Sequence, residues 1–230
     1  HAWRRGRLSQ QIYVPSIPKA MKEAGAVRRA RPLTVAELKT LVLSARNFTL
    51  FTPKAKRQPV DHVFRFVVLS IGTAARPEAI LELQRRQVDF DERLIRLNPP
   101  GRPQTKKFRP CVRIPDALMP WLETWCEDLD PLDPLILYRG RPVKQIRNSF
   151  DRIRGQLDDP KNVTPYSFRH TVARYMRKCE VPWEQVMAQM GHKIPGVTEI
   201  YAEADPRFQK KATGAIDALL RAAGATIETA

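Results

Sequence analysis

Apolar residues recur at helical spacing through most of this chain. Thr34 and Glu37 form a capping-box pattern, which predicts a helix over residues 34–46 with Leu38, Leu41 and Val42 inward. Residues 47–59 read as a loop, apolar at Phe48, Leu50 and Phe51 and basic at Lys54, Lys56 and Arg57. Residues 60–73 are apolar on most sides and predict a central buried helix. Pro77 fits the first turn of a further helix. Three short strands follow, at 87–90, 94–97 and 108–114, separated by a tight turn at 91–93 and a Pro/Gly loop at 98–103.

Asp116 reads as the cap of a helix to about residue 129, with Leu118, Trp121, Leu122 and Trp125 inward. Residues 135–137 read as buried, and 141–155 as holding another helix. Thr164 is the expected N-cap and Pro165 the first residue of a helix that buries Phe168, Val172, Tyr175 and Met176. Arg169 falls at the edge of that face. Pro182 opens a short helix and Gly191 ends it, which leaves His192 at a helix exit facing a cleft. A helical turn is expected at 198–201, and a terminal helix over 206–222 with Ile216, Leu219 and Leu220 apolar. The fold class is therefore mainly α with a small three-stranded antiparallel β-sheet.

Charge narrows the partner. The 230 residues carry a net charge of +16, and the first 60 hold 13 Lys or Arg against two Glu. Such a field favours polyanions, nucleic acid before anionic membrane. The apolar run over 63–71 is short and interrupted by Arg65, so no membrane span is expected. Cys111, Cys126 and Cys179 lack metal-ligand spacing and read as reduced thiols in a cytosol. Residues 1–30, which open on His1, read as the end of an upstream domain followed by a basic linker. That stretch is either a solvated connector or an arm that tracks a DNA backbone.

Four positions carry candidate chemistry. Arg76 stands just before a helix N-terminus, where backbone amides favour an anion. In its apolar setting it needs either a carboxylate, Glu78 or Glu82, or a ligand. Arg169-His170 and Gly191-His192 lie on successive short helices, and Tyr201 follows His192 by nine residues (201 − 192). Two guanidinium groups, an imidazole and a phenol fit attack on a phosphodiester, because arginine donates paired hydrogen bonds to non-bridging oxygens.

This ordered set resembles the tyrosine recombinases, also called phage integrases. The resemblance rests on Thr73-Ala-Ala-Arg76-Pro77, Tyr166-Ser-Phe-Arg169-His170, Met190-Gly191-His192 and Tyr201, and runs over about residues 31–201. It implies the family's DNA breaking-rejoining fold over 31–230, with a C-terminal helix from about 206, and the end of a core-binding domain over 1–30. It implies Tyr201 as nucleophile, with Arg76, Arg169 and His192 binding the phosphate. The hairpin lysine that protonates the leaving oxygen is Lys106, with Lys107 the alternative. Tyr166 occupies the family's usual His position, and Ala79 the usual Glu position. His170 is read as a buried residue that ties its helix in place.

The resemblance implies a site-specific recombinase that needs no cofactor or metal. It would act on a double-stranded DNA attachment site as a homo-tetramer, in a cytoplasmic, nucleoid-associated setting, with no membrane partner. Lys54, Lys56, Arg57 and Lys107 are expected DNA contacts. Strand relaxation of the type IB topoisomerase kind, and a DNA-binding regulator without catalysis, are the alternatives. The terminal helix packs either on its own domain or on a neighbouring protomer.

Overall fold

The structure is a computed structural model that describes residues 30–52, 55–105, 107–192 and 206–227. The expectations for residues 1–29, for Lys54 and Lys106, and for the turn that carries Tyr201 lie outside the described residues.

Helix α1 (Val35–Arg46) opens on the expected capping box. The Glu37 amide donates to Thr34 Oγ1 at 3.2 Å, and the Thr34 amide donates to Glu37 Oε2 at 2.8 Å. Arg31 NH1 adds a bond to the same carboxylate at 3.1 Å. The Arg31 hydrogen bond, and after it the Thr34 amide, holds the Glu37 carboxyl down to about 2. That depressed value stabilises the fold above the ordinary carboxylate range, and the benefit is lost as pH falls through about 2. Replacing Thr34 by Ala is expected to cost about 1 kcal/mol in urea unfolding at neutral pH.

Residues 47–59 do not form a loop. They fold into an antiparallel hairpin of β1 (Thr49–Thr52) and β2 (Ala55–Pro59), with Thr49 opposite Pro59 and Leu50 opposite Gln58. Thr-Leu-Phe-Thr suits a pleated strand, and the Val60 amide closes the base on Phe48 O at 3.2 Å. Lys56 and Arg57 fall on β2, and their side chains lie outside what is described.

Helix α2 (His62–Thr73) is the axis of the core, with every residue except Arg65 buried. Helix α3 (Pro77–Leu81) follows after a short turn and places Pro77 in its first turn. The predicted sheet forms as β3 (Val88–Asp89), β4 (Leu94–Arg96) and β5 (Cys111–Arg113), antiparallel in that order. Its strands are shorter than the apolar pattern indicates: a 3-10 turn (Arg85–Gln87) takes the start of the first, and Pro110, which cannot donate to a ladder, directly precedes β5.

Helix α4 (Met119–Cys126) has Leu118 as its N-cap, two residues after the expected Asp116. Asp116 instead pairs with Arg93, and a turn closes from the Leu118 amide to Pro115 O at 3.0 Å. Leu118, Leu122 and Trp125 are buried as predicted, as are Leu135 and Ile136, whereas Leu137 is half-buried. Strands β6 (Leu137–Tyr138) and β7 (Arg141–Pro142) make a hairpin that the sequence pattern does not announce. Its two turn residues, Arg139 and Gly140, both have positive φ, at 52° and 72°.

Helices α5 (Arg147–Arg154), α6 (Tyr166–Lys178), α7 (Trp183–Met190) and α8 (Lys210–Ala222) complete the described fold. Helix α6 begins one residue later than predicted, and the Thr164 hydroxyl accepts from the Tyr166 amide at 3.2 Å. Phe168 anchors α6, its ring 6.5 Å from Phe66 and 5.9 Å from Phe150. Tyr175 is half-buried rather than buried. Ile216, Leu219 and Leu220 are buried, and α8 packs on α1, α2, α6 and α7 of its own chain. No described helix is long and apolar enough to cross a membrane.

Candidate phosphate-binding site

The site is built where α2 ends. Ala74 caps that helix in the left-handed region at φ 54°, and Thr73 Oγ1 accepts from the Ala75 amide at 3.2 Å. Two carbonyls at this turn are taken by side chains from the other half of the domain. Gln189 Nε2 donates to Thr73 O at 2.9 Å, and Arg169 NH1 donates to Ala74 O at 2.7 Å. Arg169 NH2 donates to Met190 O. Its guanidinium is thus buried, only 5% exposed, and clamps the α2–α3 turn to the end of α7. Burial first, and the neighbouring charge of Arg76 second, lower its pKa to about 10, so it stays charged at neutral pH.

Helix α7 ends in the expected glycine cap. Gly191 has φ 59°; its amide donates to Ala188 O at 3.0 Å and the His192 amide to Met187 O at 3.0 Å. This reversal sends His192 back toward Arg169, whose NH2 lies 3.2 Å from His192 Nε2. Arginine has no acceptor, so Nε2 accepts and the ring proton sits on Nδ1. Burial, then Arg169 and Arg76, lower the His192 pKa, which keeps this imidazole neutral.

Arg76 is the N-cap residue of α3 and is half-buried. Its NH1 donates to Phe108 O at 2.7 Å. The same Phe108 carbonyl lies against Gly191, next to His192, which places Arg76 in the same cluster. Arg76 ion-pairs with neither Glu78 nor Glu82. Glu82 instead binds Arg109 at 2.7 Å. Arg109 is buried at 8% exposed, and no pattern in Phe108-Arg-Pro110 marks it in the sequence.

The remaining candidates sit at the rim. Lys107 is exposed, and its amide donates to Thr105 Oγ1 at 3.2 Å. Tyr166 is 40% exposed, with its ring 6.2 Å from that of His170. His170 is itself exposed, contrary to the expectation of a buried tie, because it lies on the α6 face opposite Phe168 and Val172. The tie is made by Arg169. Among the described residues, no group of His, Cys, Asp and Glu is arranged to hold a metal ion.

Two guanidinium groups and a neutral imidazole with its N–H available converge here, a donor set that could bind an oxyanion. The chain belongs to the phage integrase family, whose model matches residues 33–207. It is 21% identical over 212 residues to the tyrosine recombinase XerC of Chlamydia caviae, and 19% identical over the same length to that of Chlamydia pneumoniae. Each alignment covers 88% of this chain and 61% of the relative, so the chain spans about three-fifths of their length. The fold is similar to the crystal structure of XerA recombinase, with a TM-score of 0.53 at 18% identity, over 81% of this chain and 65% of that one.

Proposed function

We propose that the chain is the catalytic part of a site-specific DNA recombinase that works through a covalent 3′-phosphotyrosine bond to Tyr201. The observation that carries this reading is the convergence of Arg76, Arg169 and His192. Family membership and the resemblance to tyrosine recombinases XerC support it.

Arg76 and Arg169 bind the non-bridging oxygens of the scissile phosphate and stabilise the charge of the pentacoordinate transition state. His192 Nδ1–H donates to the same phosphate. The Tyr201 oxygen loses its proton and attacks phosphorus, and the bond to the 5′-oxygen breaks. Lys106 or Lys107 protonates that oxygen as it leaves. A 5′-hydroxyl from a partner strand reverses the step and rejoins the DNA, so the phosphodiester energy is conserved. Tyr166 donates a hydrogen bond to the phosphate, since a phenol with a pKa near ~10 is a poor base at neutral pH.

Chain geometry supports Tyr201 in this role. His192 lies in the cluster, and the described turn Pro206–Phe208 packs against β5, beside the strand that leads from Phe108. In the sequence, Tyr201 lies between His192 and this turn. The substrate is a double-stranded attachment site, bound by a tetramer of this chain.

The test is a nicked duplex whose sequence is selected by the protein from a random pool. A covalent protein–DNA band on a denaturing gel is the expected result. DNA binding without any band supports the regulator reading instead. Affinity is expected to fall linearly in log–log with salt, by about 10³-fold or more between 50 and 200 mM; a flat response contradicts a phosphate-tracking surface.

A further inference from the structure

We infer that Glu82 is a positioning residue, which acts through Arg109 to hold the lysine-bearing segment and Arg76 in one rigid unit. This inference deepens the recombinase reading and rests on it. Helix α3 is five residues long, with Arg76 at its N-cap and Glu82 at its C-cap. Two adjacent residues of the returning segment are held by its two ends. Arg76 NH1 donates to Phe108 O at 2.7 Å, and Arg109 NH1 donates to Glu82 Oε2 at 2.7 Å.

Gln104 closes the other side of the segment. Its Nε2 donates to Arg109 O at 2.9 Å and its Oε1 accepts from the Arg109 amide at 3.1 Å. That two-way pairing replaces the strand ladder that Pro103 and Pro110 forbid. Thr105 and Lys107 lie within the clasp. A third surface abuts the same point, because a Cβ on Gly191 would fall 2.7 Å from Phe108 O. Arg76, the lysine segment and the Gly191-His192 turn therefore meet at one carbonyl.

Arg109 is buried, whereas the Glu82 side chain is 55% exposed. A buried guanidinium N–H left without its acceptor is unfavourable, so loss of the Glu82 oxygen releases Arg109 toward solvent. Its backbone follows, and with it the carbonyl that holds Arg76. Ala79 stands where the resembling family carries Glu, and Glu82 lies one helical turn further along. The carboxylate of this helix thus acts on the segment and not on Arg76 directly.

The test compares the full chain with Glu82→Ala and Glu82→Gln on the selected nicked duplex. Three quantities are measured: single-turnover cleavage rate, DNA affinity, and hydrogen exchange of the Arg109 amide. Glu82→Ala is expected to slow cleavage about tenfold or more, because small displacements of reacting groups are costly. Affinity is expected to stay within about twofold, since most phosphate contacts are untouched. Exchange at Arg109 is expected to rise, and Glu82→Gln, whose amide oxygen still accepts, to recover most of both losses. Unchanged rate and exchange in Glu82→Ala overturn the inference, as does a parallel fall in rate and affinity. If the unaltered chain forms no covalent product, the recombinase reading fails by itself. Exchange then decides the tether: faster in Glu82→Ala and restored in Glu82→Gln keeps it, unchanged removes it.

Discussion

Replacing Arg169 by Ala is expected to lower cleavage by about 10²–10³-fold or more and to destabilise the fold by about 2–4 kcal/mol. The two effects share one cause. Arg169 donates to Ala74 O and Met190 O, and these bonds tie the α2–α3 turn to the end of α7. Truncation leaves two carbonyls without their donors in a buried setting. It also removes the guanidinium that fixes the His192 tautomer at 3.2 Å. Arg169→Lys separates the contributions. An ammonium keeps the charge but does not span both carbonyls in a fixed fork. Stability is expected to recover in part while the rate stays low. Single-turnover cleavage and urea unfolding of both variants measure this. Full activity in Arg169→Lys contradicts the bidentate role.

Gly191→Ala is expected to be nearly as damaging, although it adds one methyl group. The left-handed backbone at φ 59° costs an alanine about 1–2 kcal/mol. The new Cβ also meets Phe108 O and Pro110 Cδ, each at 2.7 Å. Neither neighbour is the flexible end of a side chain, so backbone must shift. A loss of about 2–4 kcal/mol follows, or roughly 5–15 °C in Tm for a chain of this size. Displacing Phe108 O also loosens Arg76, so the cleavage rate falls in the folded fraction. Thermal unfolding together with single-turnover cleavage checks both parts. A variant with unchanged Tm contradicts the close packing at this turn.

Most helices were legible because their apolar faces are long and their caps carry chemistry. Thr34 and Glu37 announced α1, and Gly191 announced the end of α7. The 49–59 hairpin was not legible, because its strands are short and its centre is basic. The β6–β7 hairpin was hidden because Arg139 takes a backbone conformation usually left to Gly or Asn. Asp116 misled as a cap because its carboxylate has an ion-pair partner, Arg93, that is distant in sequence.

The same physics divides the site. Arg76 and His192 were readable as candidates because each sits at a helix end; Arg169, expected at the edge of the apolar face, is buried within α6, and the structure brings the three together. Arg109 was not, since the ion pair that lets it be buried, with the exposed Glu82, depends on how α3 meets the returning segment. His170 was misplaced on the opposite count. Its neighbour Arg169 makes the buried contacts, and a one-residue step on a helix turns a side chain by roughly 100°.

The most direct test of Tyr201 as the nucleophile is to map the covalent link itself. The trapped protein–DNA product is digested with nuclease and protease, and the nucleotide-bearing peptide is sequenced by mass spectrometry. A phosphate ester on Tyr201 is expected, with loss of the product in Tyr201→Phe. A link to Tyr166 or another residue, or cleavage that persists without any covalent product, contradicts it.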